Sequence, residues 1–181
     1  MRIAIASDHA AFALKAALGD WLRDDGHSVT DLGPPDEARV DYPDYGYALA
    51  AVIGAGGADR GIALCGSGIG MSIAVNRHPD CRCALVSEPL SAALAREHND
   101  ANVIAIGARL TGIDMAKACV TAFLATAFGE DRHRHRVDKL SQPPIGADPA
   151  VPAVGGASEN HDPRTETAIY SRPTFAATSA A

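Results

Sequence analysis

Short apolar runs alternate along the chain with stretches whose apolar residues recur every three or four positions. "RIAIAS" (Arg2 to Ser7) has the length and near-continuous apolarity of a buried strand. Leu14, Leu18, Trp21 and Leu22 then fall at helical spacing, and Gly26 stands where such a helix would stop. "SVTDLG" (Ser28 to Gly33) predicts a second strand. The loop "PPDEARVDYP" leads into a helix carrying Tyr45, Leu49 and Val52. "GIALCG" (Gly61 to Gly66) predicts a third strand, whose loop opens a helix reaching Ala74. "RCALVS" (Arg82 to Ser87) is a fourth. "PLSAALAREH" is helical, with Pro89 at its first position, where the missing N–H costs nothing. "NVIAIG" (Asn102 to Gly107) is a fifth strand. A helix is expected from about Gly112 to Phe128, with Thr111 and Asp114 spaced like a capping box, and a shorter one over Asp131 to Leu140.

Five strands alternating with helices imply an α/β fold: a single three-layer, doubly wound domain with a five-stranded parallel sheet covered on both faces, Rossmann-like or flavodoxin-like. Right-handed crossovers leave few strand orders, of which 2-1-3-4-5 is the expected one. In that order the crevice opens between the C-terminal ends of strands one and three, where the winding reverses. Those two ends carry "SDH" (Ser7, Asp8, His9) and "CGSGIG" (Cys65 to Gly70).

Composition changes the picture at one end. Residues 141–181 hold six of the eleven prolines and few large apolar residues, so the domain is expected over 1–140 and a largely disordered tail over 141–181. No apolar run reaches membrane-span length and the start lacks a signal-peptide layout, which predicts a cytoplasmic protein without a membrane partner. Its four cysteines are then expected to be reduced. A net charge of −6 argues against a general nucleic-acid surface. The local exception is "RHRHR" (Arg132 to Arg136).

A glycine loop between a strand and a helix aims backbone N–H groups at an anion. Three chemistries share that layout. Dinucleotide binding expects G-x-G-x-x-G, whereas this loop reads G-x-G-x-G; Glu88 would have to stand in for the ribose-binding acid. A cysteine phosphatase needs an arginine where this chain has Met71. Proton abstraction beside a carbonyl uses the whole loop: Cys65 as a thiolate base and the loop amides as donors to the enediolate oxygen. Alone, a cysteine at a strand end reads as packing; beside Gly66, Gly68 and Gly70 at the switch point it reads as chemistry. A non-catalytic module for a nucleotide or a sugar phosphate would use the glycines and arginines and leave Cys65 and His98 without a task.

Other residues are weaker signals. His98 and Asn99 end a helix just before the fifth strand, in a loop expected near the ligand end of the sheet, though a histidine there is more often a capping or surface residue. Asp8 is a site candidate or a helix N-cap. Arg132 and Arg136, four apart, share a helix face and suit either a phosphate or solvent. Cys81 and Cys83 read as a buried pair, and no metal site is expected.

"SDHAAFALK", "VDYPDY", "LCGSGIGMSIAVN", "SEP", "AREHNDANVIAIGAR" and "RHRHRV" occur in an order that resembles the ribose-5-phosphate isomerase B family, which includes the galactose-6-phosphate isomerase subunits. The resemblance covers about residues 1–140. It implies cofactor-free and metal-free interconversion of an aldose phosphate and a ketose phosphate through an enediol(ate). By it Cys65 is the base and His98 the acid that opens the sugar ring. Asp8, His9, Gly66, Ser67, Gly68, Ile69, Gly70 and Asn99 contact the sugar, and Arg109, Arg132 and Arg136 hold the phosphate. One branch of that family replaces the cysteine by a glutamate six positions further on; Met71 stands there, which places this chain with the cysteine branch. A homodimer or dimer of dimers is implied, with the site at the subunit interface. Ribose 5-phosphate is the expected substrate, with tetrose, allose or galactose phosphate as alternatives.

Overall fold

The computed structural model describes residues 1–142, so nearly all of the expected tail lies outside the described residues. Strands β1 (Arg2–Ser7), β2 (Ser28–Asp31), β3 (Arg60–Cys65), β4 (Cys83–Leu85) and β5 (Val103–Gly107) form one wholly parallel sheet. Helices α1 (Phe12–Asp24), α2 (Tyr42–Gly54), α3 (Ile69–Val75), α4 (Pro89–Asn99), α5 (Ile113–Ala125) and α6 (Glu130–Leu140) connect and follow them. No helix among the described residues is long and apolar enough to cross a membrane.

The strand order is β2-β1-β3-β5-β4, not the expected 2-1-3-4-5. The reason lies in the two strands that exchange places. β5 is buried at every position and can stand between two neighbours. β4 has three residues, and its last, Leu85, is exposed, which suits an edge. The exchange leaves the reversal between β1 and β3 intact, so their C-terminal ends still flank the crevice.

Alternation along the strands divides the core in two. Ile3, Ile5, Ile62, Leu64, Ile104 and Ile106 face α1, α4 and α5, packing on Leu18, Leu22 and Phe123. Ala4, Ala6, Ala63, Cys65 and Ala105 face α2 and α3, packing on Leu49, Ile53, Met71 and Val75. Small strand residues on that second face bring α2 and α3 close to the sheet.

Local signals fix most element ends. α1 stops before Gly26, whose φ of +84° favours glycine. α4 begins at Pro89 behind Glu88, whose carboxylate accepts the Leu90 and Ser91 amides at 2.6 and 2.7 Å. The capping box expected from Thr111 and Asp114 does not form. Gly112 is the N-cap of α5 and makes no side-chain bond, while buried Thr111 closes the turn after β5 through its amide to the Gly107 carbonyl. α5 also ends earlier than expected, at Ala125, where the Thr126 hydroxyl donates back to the Ala122 carbonyl. Lys15 is buried, and its Nζ donates to both Asp31 oxygens at 2.6 Å and to the Pro34 carbonyl at 3.0 Å. It ties α1 to the loop that leaves β2, and nothing in the sequence pattern singled it out.

Candidate active site

A cleft of about 400 Å³ opens where β1 and β3 end. Asp8, His9, Cys65, Gly66, Ser67, Gly70 and Arg109 line it, as expected. Ala10, Tyr42 and Leu110 line it as well. Tyr42 comes from the "VDYPDY" stretch; a Cβ added at Gly70 would lie 2.6 Å from its ring, so Gly70 is what lets the tyrosine reach the cleft. Spacing in that stretch signals the start of α2 and does not say which side chain reaches the cleft, so the sequence pattern carries no signal for Tyr42.

Cys65 ends β3 with its side chain on the α2/α3 face, 5% exposed, and meets the cleft through that opening. The Gly68 amide donates to its Sγ at 3.1 Å. That places an N–H donor where negative charge on sulfur would develop. Gly68 has φ +78°, and a Cβ there would meet Leu85 and the backbone of β5, so only glycine fits. The loop amides therefore divide their work. Gly68 serves the sulfur and the Ile69 amide bonds the Ser67 hydroxyl at 3.4 Å. Those of Gly66 and Ser67 donate to no acceptor among the described residues. Gly68 and Ile69 do not line the cleft, and the Ile69 side chain is exposed on a separate apolar groove with Leu85 and Leu110. Met71 is fully buried in the core beneath the loop, away from the cleft.

Asp8 lines the cleft and is also a cap: its Oδ1 accepts the Ala10 amide at 3.0 Å and starts the short 3-10 turn His9–Ala11. The Val40 amide donates to His9 Nδ1 at 3.4 Å, which leaves Nε2 as the protonated nitrogen of the neutral ring. Arg109 follows β5. Its amide donates to the Gly66 carbonyl at 3.0 Å and its guanidinium lies against Gly66, close enough that a Cβ there would sit 3.2 Å from Cζ.

The remaining thiols are elsewhere. Burial pushes Cys81 up to about 11, and it pushes Cys83 and Cys119 upward too. The Cys81 sulfur donates to the Ala50 carbonyl at 3.6 Å, a bond that needs the protonated thiol. Glu88 is occupied as a cap; hydrogen bonds from Ser91 hold its carboxyl below the usual range. It does not stand free as the ribose-binding acid of a dinucleotide site.

His98, Asn99, Arg132 and Arg136 form a second group, and the expectation that His98 and Asn99 lie near the ligand end of the sheet is not met. α4 runs antiparallel to the strands it connects, so its last residues lie beside the start of β5, at the opposite end from Cys65. Asn102 there accepts the Gly61 amide at the start of β3. A strand rises about 3.3 Å per residue, so the two ends are on the order of 15–20 Å apart. α6 joins this end: the Gly129 amide donates to the Glu97 carbonyl at 2.9 Å, and His133 stacks on His98 with ring centroids 4.4 Å apart. Asp100 holds the end of α4. Its carboxylate pairs with Arg82 at 2.7 Å and Arg96 at 2.8 Å, and its φ of +46° turns the chain toward β5. Arg132 and Arg136 are exposed on α6.

A sequence model of the family described as Ribose/Galactose Isomerase matches residues 3–140. The chain belongs to that family. This isomerase is 40% identical over 140 residues to ribose-5-phosphate isomerase B of Escherichia coli, an alignment covering 77% of this chain and 94% of that protein. It is 36% identical over 139 residues to galactose-6-phosphate isomerase subunit LacB of Clostridium acetobutylicum, covering 77% and 80%. Among solved structures, ribose 5-phosphate isomerase of Thermotoga maritima superposes with a TM-score of 0.77 at 46% identity, covering 78% of this chain and 98% of that one. The matched span takes in both residue groups of the isomerase and leaves the C-terminal residues aside.

Proposed function

We propose that this isomerase interconverts ribose 5-phosphate and ribulose 5-phosphate, with Cys65 as the base and His98 as the ring-opening acid. The observation that carries the reading is the sulfur at the cleft, with one amide on it and two unpaired amides beside it. In the open-chain aldose, Cys65 Sγ takes the proton from C2 and the electrons of that bond pass to the carbonyl oxygen on C1. The Gly66 and Ser67 amides receive the growing oxyanion. The hydroxyl proton then moves from the oxygen on C2 to that on C1, and the thiol returns its proton at C1, giving the ketose. Asp8, His9 and Asn99 bind sugar hydroxyls; Arg109, Arg132 and Arg136 bind the phosphate and fix the carbon chain.

The same reading requires two chains. His98, Asn99, Arg132 and Arg136 lie too far from Cys65 to share one substrate within a chain. A dimer in which each chain lends this group to its partner's cleft completes both sites. The exposed apolar side chains of Ile69, Leu85 and Leu110 line the groove beside the cleft and supply a surface for that contact.

The test is a panel of aldose phosphates assayed with wild type and Cys65→Ala. The variant is expected to lose roughly 10²–10⁴-fold in kcat/KM, and ribose 5-phosphate to be the best of the panel. Equal turnover by both proteins removes the thiol from the mechanism; a better tetrose or hexose phosphate replaces the substrate.

A further inference from the structure

The geometry points to His133 as a positioning residue for ring opening: its imidazole, stacked on His98, fixes the plane in which His98 meets the sugar. The inference rests on the reading of His98 as the ring-opening acid. His98 is about a third exposed at the end of a helix. The Glu97 carboxylate reaches Nε2 only at 4.0 Å, too far to orient the ring by a hydrogen bond. A histidine in that position is free to change rotamer, whereas proton transfer demands a set direction. Among the described residues the ring that restrains it is His133, at 4.4 Å between centroids and 14° between planes.

His133 is suited to this. Arg132 Nε lies 3.5 Å from His133 Nε2, and the guanidinium beside the ring disfavours a charge on it. Desolvation holds its protonation below the usual histidine range, helped by His98, Arg132 and Arg136 and opposed by Glu97. A neutral His133 ring puts no cation against the face of His98. Because both histidines belong to one chain, the stack travels intact to whichever cleft His98 serves.

The test separates ring opening from carbon chemistry. Ribulose 5-phosphate has its C5 oxygen phosphorylated and cannot close a furanose ring, so exchange of its C1 hydrogen with solvent deuterium needs Cys65 and no ring step. Ribose 5-phosphate must open first. His133→Ala is expected to lower turnover of ribose 5-phosphate roughly 10–100-fold while deuterium wash-in to ribulose 5-phosphate stays within about twofold. His133→Phe, which keeps a flat face against His98, is expected to retain most of the turnover. Unchanged turnover in His133→Ala overturns the proposal, as does equal loss of turnover and wash-in, which would mark a phosphate-binding or purely structural role. Equal damage by Ala and Phe overturns the stack. Absence of wash-in with wild type overturns the reading of Cys65 itself, a result distinct from any failure confined to the His133 variants.

Discussion

Cys65 and Cys81 are buried to nearly the same degree, yet their sulfurs face opposite partners. Cys65 accepts an amide hydrogen, and Cys81 gives its own hydrogen to a carbonyl. Only the first arrangement tolerates a thiolate. With Cys81 raised to about 11, its thiolate fraction at pH 8 is about one part in a thousand, and desolvation moves Cys83 and Cys119 the same way. Limited treatment of the native protein with iodoacetamide at pH 8 is therefore expected to modify Cys65 first, read by peptide mass spectrometry, with loss of activity in step. Labelling of Cys81 before Cys65 would contradict this. The sequence pointed to Cys65 through the glycines after it. It could not separate the loop amides by task, because that depends on which way each N–H turns once Gly68 takes a left-handed conformation.

At the scale of elements, the glycine loop after β3 rests on β5 through a glycine. A Cβ at Gly107 would fall 2.6 Å from the Ser67 backbone, so Gly107→Ala must displace the loop. The expected result is a fall in kcat/KM on the order of 10²-fold, since an ångström of misplacement is enough, with a far-UV spectrum close to wild type. Glu88 offers a second check, on α4. Its carboxyl is held below the ordinary 4.5 by hydrogen bonds from the Ser91 side chain first and then the Ser91 and Leu90 amides. A depressed carboxylate contributes stability above its ordinary value and loses it as pH falls through the depressed one. Glu88→Ala is accordingly expected to lower Tm at pH 7, with the gap to wild type narrowing as pH falls below the ordinary 4.5 and through the depressed value. Periodicity identified all five strands and every helix, and the caps at Gly26 and Pro89. The place of β5 was not readable, because periodicity reports burial and not which neighbour supplies it. Nor was the failed capping box, since Thr111 was claimed by the turn after β5.

The largest gap between sequence and structure is one of scale. Every motif lay in one chain, and nothing in their order said that α4 would carry His98 to the far end of the sheet from Cys65. Crossover geometry dictates that separation, because a helix between two parallel strands must end where the next strand begins. If the site is shared, it has a stoichiometry that can be measured. Cys65→Ala and His98→Asn are each expected to be nearly inactive as homodimers. Dissociated, mixed and reassembled in equal amounts, they form hybrids in which one cleft holds both defects and the other holds neither. Half of the dimers are hybrid and half of each hybrid's clefts are intact, so recovery should approach about a quarter of wild-type activity. Arg132→Ala mixed with Cys65→Ala should recover in the same proportion, and Arg109→Ala with Cys65→Ala should not, because both of those residues line one chain's own cleft. If His98 reached Cys65 within its own chain, mixing would restore nothing, and the size of the recovered signal decides between the two arrangements.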